Sequence, residues 1–111
     1  MNTRQDKVAK QIQKDMAEIL PLHTPEISKG QMLTVTGVRI TSDLGLAHIY
    51  ISVFPSGNAE QVILGLNTRS SVYRNELGIR LRYQLRKVPE IMFHLDDSLD
   101  YIENIENLLK K

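Results

Sequence analysis

Residues 59–95 read AEQVILGLNTRSSVYRNELGIRLRYQLRKVPEIMFHL, and the order of signals within them decides the fold. Val62, Ile63 and Leu66 begin an apolar face at helical spacing, and Tyr73, Leu77, Leu81 and Leu85 resume it at steps of four. Between the two runs stand Asn67, Thr68, Arg69, Ser70 and Ser71, all polar and of modest helix propensity. The spacing predicts a helical region from about Ala59 to Lys87, divided into two helices by a kink at the polar stretch. Val88 and Pro89 then break the helix. Ile91, Phe93 and Leu95 alternate with Met92 and His94 as a strand, whose proline sits at its start, where a sheet tolerates one.

Upstream, two more strands precede this unit. Met32 to Ile40 is rich in β-branched residues, and Ala47, Ile49, Ile51 and Val53 alternate with His48, Tyr50, Ser52 and Phe54. In the first strand the apolar phase slips between Leu33 and Val35 on one side and Val38 and Ile40 on the other. Gly37 stands at the slip, where a bulge absorbs one extra residue. Ser42-Asp43-Leu44-Gly45 supplies turn chemistry, so the two strands form an antiparallel hairpin.

The first helix places Val8, Ile12, Met16 and Ile19 on one face and Lys7, Lys10 and Lys14 opposite, where mixing with Asp6, Asp15 and Glu18 favours a solvated surface over phosphate contact. Thr3 and Asp6 resemble a capping box, and Pro21 is expected to end the helix. Residues 21–30 then read as a loop. At the other end Asp97 or Ser98 caps a last helix with Ile102, Ile105 and Leu109 as its stripe. The expected order is α-β-β-α-kink-α-β with an added C-terminal helix, an α+β fold.

With 111 residues the chain suits one compact domain, 1–111, and its 41% hydrophobic content supports a core. No apolar run is long enough to span a membrane, and the N-terminus carries no secretory pattern, so a cytoplasmic protein is expected. Without cysteine there is neither a disulfide framework nor a thiolate metal site. The net charge of +1 conceals an asymmetry. Arg69, Arg74, Arg80, Arg82, Arg86 and Lys87 share their segment with a single acid, Glu76. Beyond it come Glu90, Asp96, Asp97, Asp100, Glu103 and Glu106. Such a basic stretch suits a polyanionic partner.

Two segments carry a family resemblance. Val38 to Val53, VRITSDLGLAHIYISV, resembles a strand–turn–strand in which an Asp-Leu turn precedes an Ala and a Val/Ile/Tyr-rich strand. Arg74 to Arg82, continuing through Arg86-Lys87-Val88-Pro89-Glu90-Ile91-Met92-Phe93 to Asp96-Asp97-Ser98-Leu99, is similar to the signature of the ribosome-binding factor A family. The resemblance runs from about Val38 to Leu99 and is looser in the first helix. It implies a type II KH-like domain that binds the small (30S) ribosomal subunit and its precursor late in assembly. It further implies contact with small-subunit (16S) rRNA near the 5′ end and decoding region, and a role in growth at low temperature. A maturation GTPase for release and a monomeric state are implied as well. Ordinary KH domains carry a Gly-x-x-Gly loop between the paired helices, and no glycines here have that spacing. The family uses an Ala-x-Gly kink, for which this chain has Arg69-Ser70-Ser71.

Arg69, Arg74, Arg80, Arg82 and Arg86, with Lys87, are the leading candidate RNA contacts, since guanidinium groups grip phosphate in pairs of hydrogen bonds and stack on bases. Ser70 and Ser71 are candidate phosphate donors at the kink. Tyr50, Tyr73, Tyr83 and Tyr101 are candidates for base stacking, although Tyr73 fits the apolar stripe better. Gly78 within the helix points to close packing. His23, His48 and His94 are scattered, and no pair has metal-face spacing. No P-loop, nucleophile elbow or interleaved Gly-aromatic motif appears. The expectation is a non-enzymatic assembly factor with no cofactor and no metal. The alternative from another class is an adaptor that docks a protein partner through its acidic C-terminal helix.

Overall fold

The computed structural model describes residues 4–23, 31–55 and 57–96. Thr3, most of the expected 21–30 loop, Tyr101 and the final helix with its caps Asp97 and Ser98 lie outside them. Six elements follow in chain order: α1 Arg4–His23, β1 Met32–Ile40, β2 Leu46–Phe54, α2 Ala59–Thr68, α3 Ser70–Leu81 and β3 Glu90–Leu95. The helices pack on one face of a three-stranded sheet, a two-layer solution for elements that each have one apolar side. This α-β-β-α-α-β order is the type II KH-like arrangement.

β2 is the central strand. Ala47, Ile49, Ile51 and Val53 are buried beneath the helices, and each buried Ile or Val contributes about 1.5–3 kcal/mol of hydrophobic stabilisation. β1 pairs with β2 antiparallel from Met32 opposite Phe54 to Ile40 opposite Ala47, with a register shift between Val35 and Gly37. Thr36 is the extra residue of that bulge. Its hydroxyl lies 3.2 Å from the Tyr50 carbonyl and 2.5 Å from Asp96 Oδ2. β3 runs parallel to β2 on its other side, from Leu46 opposite Glu90 to Ile51 opposite Leu95. A parallel pair needs a crossover, and α2 with α3 supplies it.

The hairpin tip is tied by short-range bonds. The Thr41 N–H donates to Leu46 O at 3.0 Å, and Asp43 Oδ1 accepts from the Thr41 hydroxyl at 2.6 Å and the Gly45 N–H at 2.9 Å. These donors, Thr41 first, hold the Asp43 carboxyl below its ordinary range. Leu44 takes a left-handed φ of 59°, which costs about 1–2 kcal/mol for a residue with a Cβ, while its side chain packs against the core.

Three features differ from expectation, two of them boundaries. α1 continues through Pro21 to His23. Proline's fixed φ suits a helix, and the chain end is held from outside: the Tyr73 hydroxyl donates to His23 O at 3.4 Å, and His23 Nε2 lies 3.4 Å from Glu76. The second difference concerns charge, because Asp15 and Glu18 are not part of a merely solvated face. Asp15 is buried and accepts both carboxylate contacts from Gln11 Nε2 at 3.1 Å.

The third is that α3 ends at Leu81 rather than near Lys87. The N–H groups of Gln84 and Leu85 both converge on Leu81 O, at 2.8 and 3.0 Å, closing the helix with a turn that drops Leu85 into the core. The chain then doubles back along α3. A Cβ on Gly78 would stand 3.0 Å from Val88 Cγ2, so glycine here permits the close approach that the sequence suggested. Every apolar position expected on α2 and α3 is buried, from Val62 to Leu85. The kink falls at Arg69, with φ −104° and ψ 20°, a bridge conformation open to any residue. No glycine is required at Arg69-Ser70-Ser71, and Ser71 lies within α3.

Candidate nucleic-acid interface

The basic segment separates into side chains used by the fold and side chains turned outward. Arg74 belongs to the first group. Its Nη2 donates to Val88 O at 3.0 Å and its Nε to Pro89 O at 3.2 Å, so its guanidinium pins the returning chain to α3. Arg80 belongs there too. Its Nη1 donates to Glu18 and lies 3.6 Å from Asp15 Oδ1, bracing α3 against α1. The Glu18 carboxylate, with Asp15 behind it, raises the Arg80 pKa above its ordinary value.

Arg82, Arg86 and Lys87 are exposed on the turn that follows α3. Among the described residues neither Arg82 nor Arg86 has a carboxylate partner. Together with Ser71, Arg74 and Asn75 they rim a groove of about 610 Å³ whose floor is Gly78, Ile79 and Val88. Ser71 is exposed and lines it. Ser70 is half-buried and does not line it. Arg69 is exposed at the kink, and its charge opposes the burial that raises the Tyr73 pKa. A second concavity on the other side of the turn is lined by Arg4, Asp43, Leu44 and Gly45 together with Arg82 to Lys87. Sequence spacing could not bring Arg4 and the hairpin tip to this turn. The Glu90 N–H brings the tip there by donating to Gly45 O at 2.9 Å, and Gln5 Nε2, donating to Ile40 O at 3.2 Å, ties the start of α1 to the end of β1.

The tyrosines sort differently. Tyr73 is fully buried, edge-on to Phe93 with centroids 5.3 Å apart. Tyr50 stacks on His94 at 5.2 Å on the sheet face away from the helices. Tyr83 is exposed, with Arg82 Cζ 4.8 Å from its ring centroid.

Two histidines that lie far apart in sequence meet on that outer sheet face. His48 Nδ1 and His94 Nε2 are 2.8 Å apart, one donating and one accepting. Burial, followed by the His48 charge, lowers the His94 pKa. The signal for this pair was present in the alternation, which puts both residues on the outer face. What the alternation lacked was the parallel register that makes them diagonal neighbours. Among the described residues no cluster of three or more His, Cys, Asp or Glu could hold a metal ion, and no helix is long and apolar enough to cross a membrane.

An α+β chain with the type II KH-like order, a non-glycine kink and a basic groove along the second paired helix defines a KH-like protein without the Gly-x-x-Gly loop. Comparison with known proteins names the group. The sequence model of the family described as Ribosome-binding factor A matches residues 4–109, and the chain belongs to that family. The ribosome-binding factor A of Christiangramia forsetii is 43% identical over 108 residues, 96% of this chain and 82% of that one. That of Flavobacterium johnsoniae is 39% identical over 107 residues, with the same coverage. The crystal structure of ribosome-binding factor A from Thermus thermophilus superimposes with a TM-score of 0.71 at 19% identity, covering 84% of this chain and 97% of that one. The solution structure of a Thermotoga maritima protein assigned to the same family gives 0.69 at 26% identity, covering 85% and 90%. A Thermus thermophilus ribosome-binding factor A homology model, fitted into a cryo-EM map of a 30S complex with that factor, gives 0.66 at 20% identity, covering 80% and 91%.

Proposed function

We propose that this chain is a small-subunit assembly factor that binds 30S particles and their precursors through 16S rRNA, without chemistry of its own. The observation that carries the reading is the groove along α3, where Arg82, Arg86 and Lys87 surround an apolar floor, in a chain of the ribosome-binding factor A family. A relative fitted into a 30S complex supports the choice of partner. Guanidinium groups without carboxylate partners suit phosphate, and Ser71 at the groove edge adds a hydroxyl donor. Arg69 extends the basic surface at the kink. Arg74 lines the groove while its hydrogen bonds serve the fold, whereas Arg80 is held by Asp15 and Glu18 of α1 and does not line it.

The mechanism is differential affinity. A factor that binds one rRNA arrangement more tightly than another shifts the population toward it and leaves when maturation, or a GTPase acting on the particle, removes that arrangement. Monomeric binding to one site on the particle suffices.

Co-sedimentation with small subunits over a potassium series tests this. Wild type should bind with a steep salt dependence, because phosphate contacts release counterions. Changing Arg82, Arg86 and Lys87 together to Gln should lower the magnitude of the slope by roughly two, at up to about 0.7–0.9 per contact. Changing Lys7, Lys10 and Lys14 to Gln on α1 should alter it less. A nearly flat salt dependence, or a loss confined to the α1 variant, sinks the proposed interface.

A further inference from the structure

The groove accounts for the basic side chains of the turn after α3 but not for the aromatic one between them. Tyr83 is 88% exposed, more than any other large apolar side chain among the described residues. It lines the concavity of Arg4 and Asp43 and not the groove of Ile79 and Val88, while Arg82, Arg86 and Lys87 line both. The Arg82 guanidinium covers one face of its ring at 4.8 Å, a cation–π contact that orients the ring while leaving most of it in water. Tyr73 and Tyr50 are already occupied by Phe93 and His94.

We propose that Tyr83 is a stacking platform for an unpaired nucleobase of single-stranded RNA, with Arg82 and Arg86 holding the phosphates beside that nucleotide. This rests on the reading of the groove as an RNA site and specifies the form of RNA it takes. A base in a duplex has both faces covered by its neighbours, so only a single strand, bulge or loop presents a face to the ring. Every base has such a face, so the platform selects strandedness rather than sequence. Charge sets the path of the strand. In the concavity that Tyr83 lines, Arg4, Arg82, Arg86 and Lys87 outnumber the one carboxylate, Asp43, so phosphate is accepted there. The strand then crosses Arg82 and Arg86, which line both hollows, into the groove of Ile79 and Val88, whose apolar side chains accept the sugar or base of the next nucleotide.

Anisotropy titrations of the full chain with three labelled probes test this: an adenosine octamer, a ribose-phosphate octamer without bases, and a blunt RNA duplex. Wild type should prefer the adenosine octamer. Tyr83→Ala should bind that probe between about five-fold and a hundred-fold more weakly, the range expected for one lost base stack. It should bind the abasic probe like wild type and keep the wild-type salt slope. Tyr83→Phe should stay within about two-fold of wild type. An equal loss by Tyr83→Ala on the adenosine and abasic probes overturns the platform and makes Tyr83 a structural residue. If Tyr83→Ala binds like wild type while Arg82→Gln with Arg86→Gln binds weakly, stacking falls and the RNA groove stands. If wild type binds neither the octamer nor small subunits, the groove falls and the platform with it.

Discussion

Arg80 and Arg82 are two residues apart at the end of one helix, and they serve opposite sides of the molecule. Arg80 faces inward, where Glu18 and the buried Asp15 of α1 hold its guanidinium. Arg82 faces outward, where among the described residues it meets the ring of Tyr83. The helical step of about 100° per residue makes this division, because positions two apart point to different sides. A run of like charge along a helix is therefore not one surface. Part of it braces the fold, and the rest remains available to a partner.

The division yields predictions that can break it, beginning with the core on which both sides rest. Phe93 is buried between α3 and the sheet, and Phe93→Ala should destabilise the domain by about 3–5 kcal/mol in equilibrium denaturation. A loss below about 1 kcal/mol would show that β3 is not anchored there. Arg80→Gln should lower the melting temperature, since it removes the guanidinium beside buried Asp15 and leaves Gln11 as its remaining partner among the described residues, but by less than Phe93→Ala does, and it should leave the salt slope of subunit binding unchanged. Arg82→Gln should do the reverse, with an unchanged melting temperature and a slope smaller in magnitude by up to about 0.7–0.9. If the two variants behave alike, the inward and outward assignment fails.

The smallest effect belongs to the sheet face, where Tyr50 and His48 flank His94. Because the folded-state pKa of His94 is lowered, the native state favours the neutral ring. Its contribution is complete above the unfolded value of about 6.5 and is lost as the pH falls through the lowered folded value. Doubly protonated, the pair would have no acceptor for its 2.8 Å bond. The melting temperature should thus fall modestly from pH 7 toward 5, and His94→Gln should flatten that fall. An identical pH profile in both proteins would remove His94 from the account.

Elements with a strong period were legible before any coordinates. The alternation of Ala47, Ile49, Ile51 and Val53 marks β2, the phase slip marks the bulge beside Gly37, and the polar stretch at 67–71 marks the kink. What sequence could not deliver depended on partners far along the chain. The end of α3 is set by Val88 packing on Gly78 and by Arg74 reaching the Val88 and Pro89 carbonyls, while helical periodicity ran on to Leu85. The local rule ends a helix at Pro21, and tertiary contacts at His23 override it. At the candidate site, composition identified the basic segment but could not sort it, since Arg74, Arg80 and Arg82 differ only in what lies across from them.

The bonds from Arg74 to the carbonyls of Val88 and Pro89 have a consequence for the thermodynamics of binding. A basic loop that is loose before it meets RNA must be ordered when it binds, at about 1–2 kcal/mol of backbone entropy per residue fixed. Here the segment that carries Arg86 and Lys87 is fastened at its far end by Arg74 and at its near end by the Leu81 carbonyl. Folding has already taken that entropy out of any association step at this turn, so under the proposed reading the basic rim is a preorganised surface.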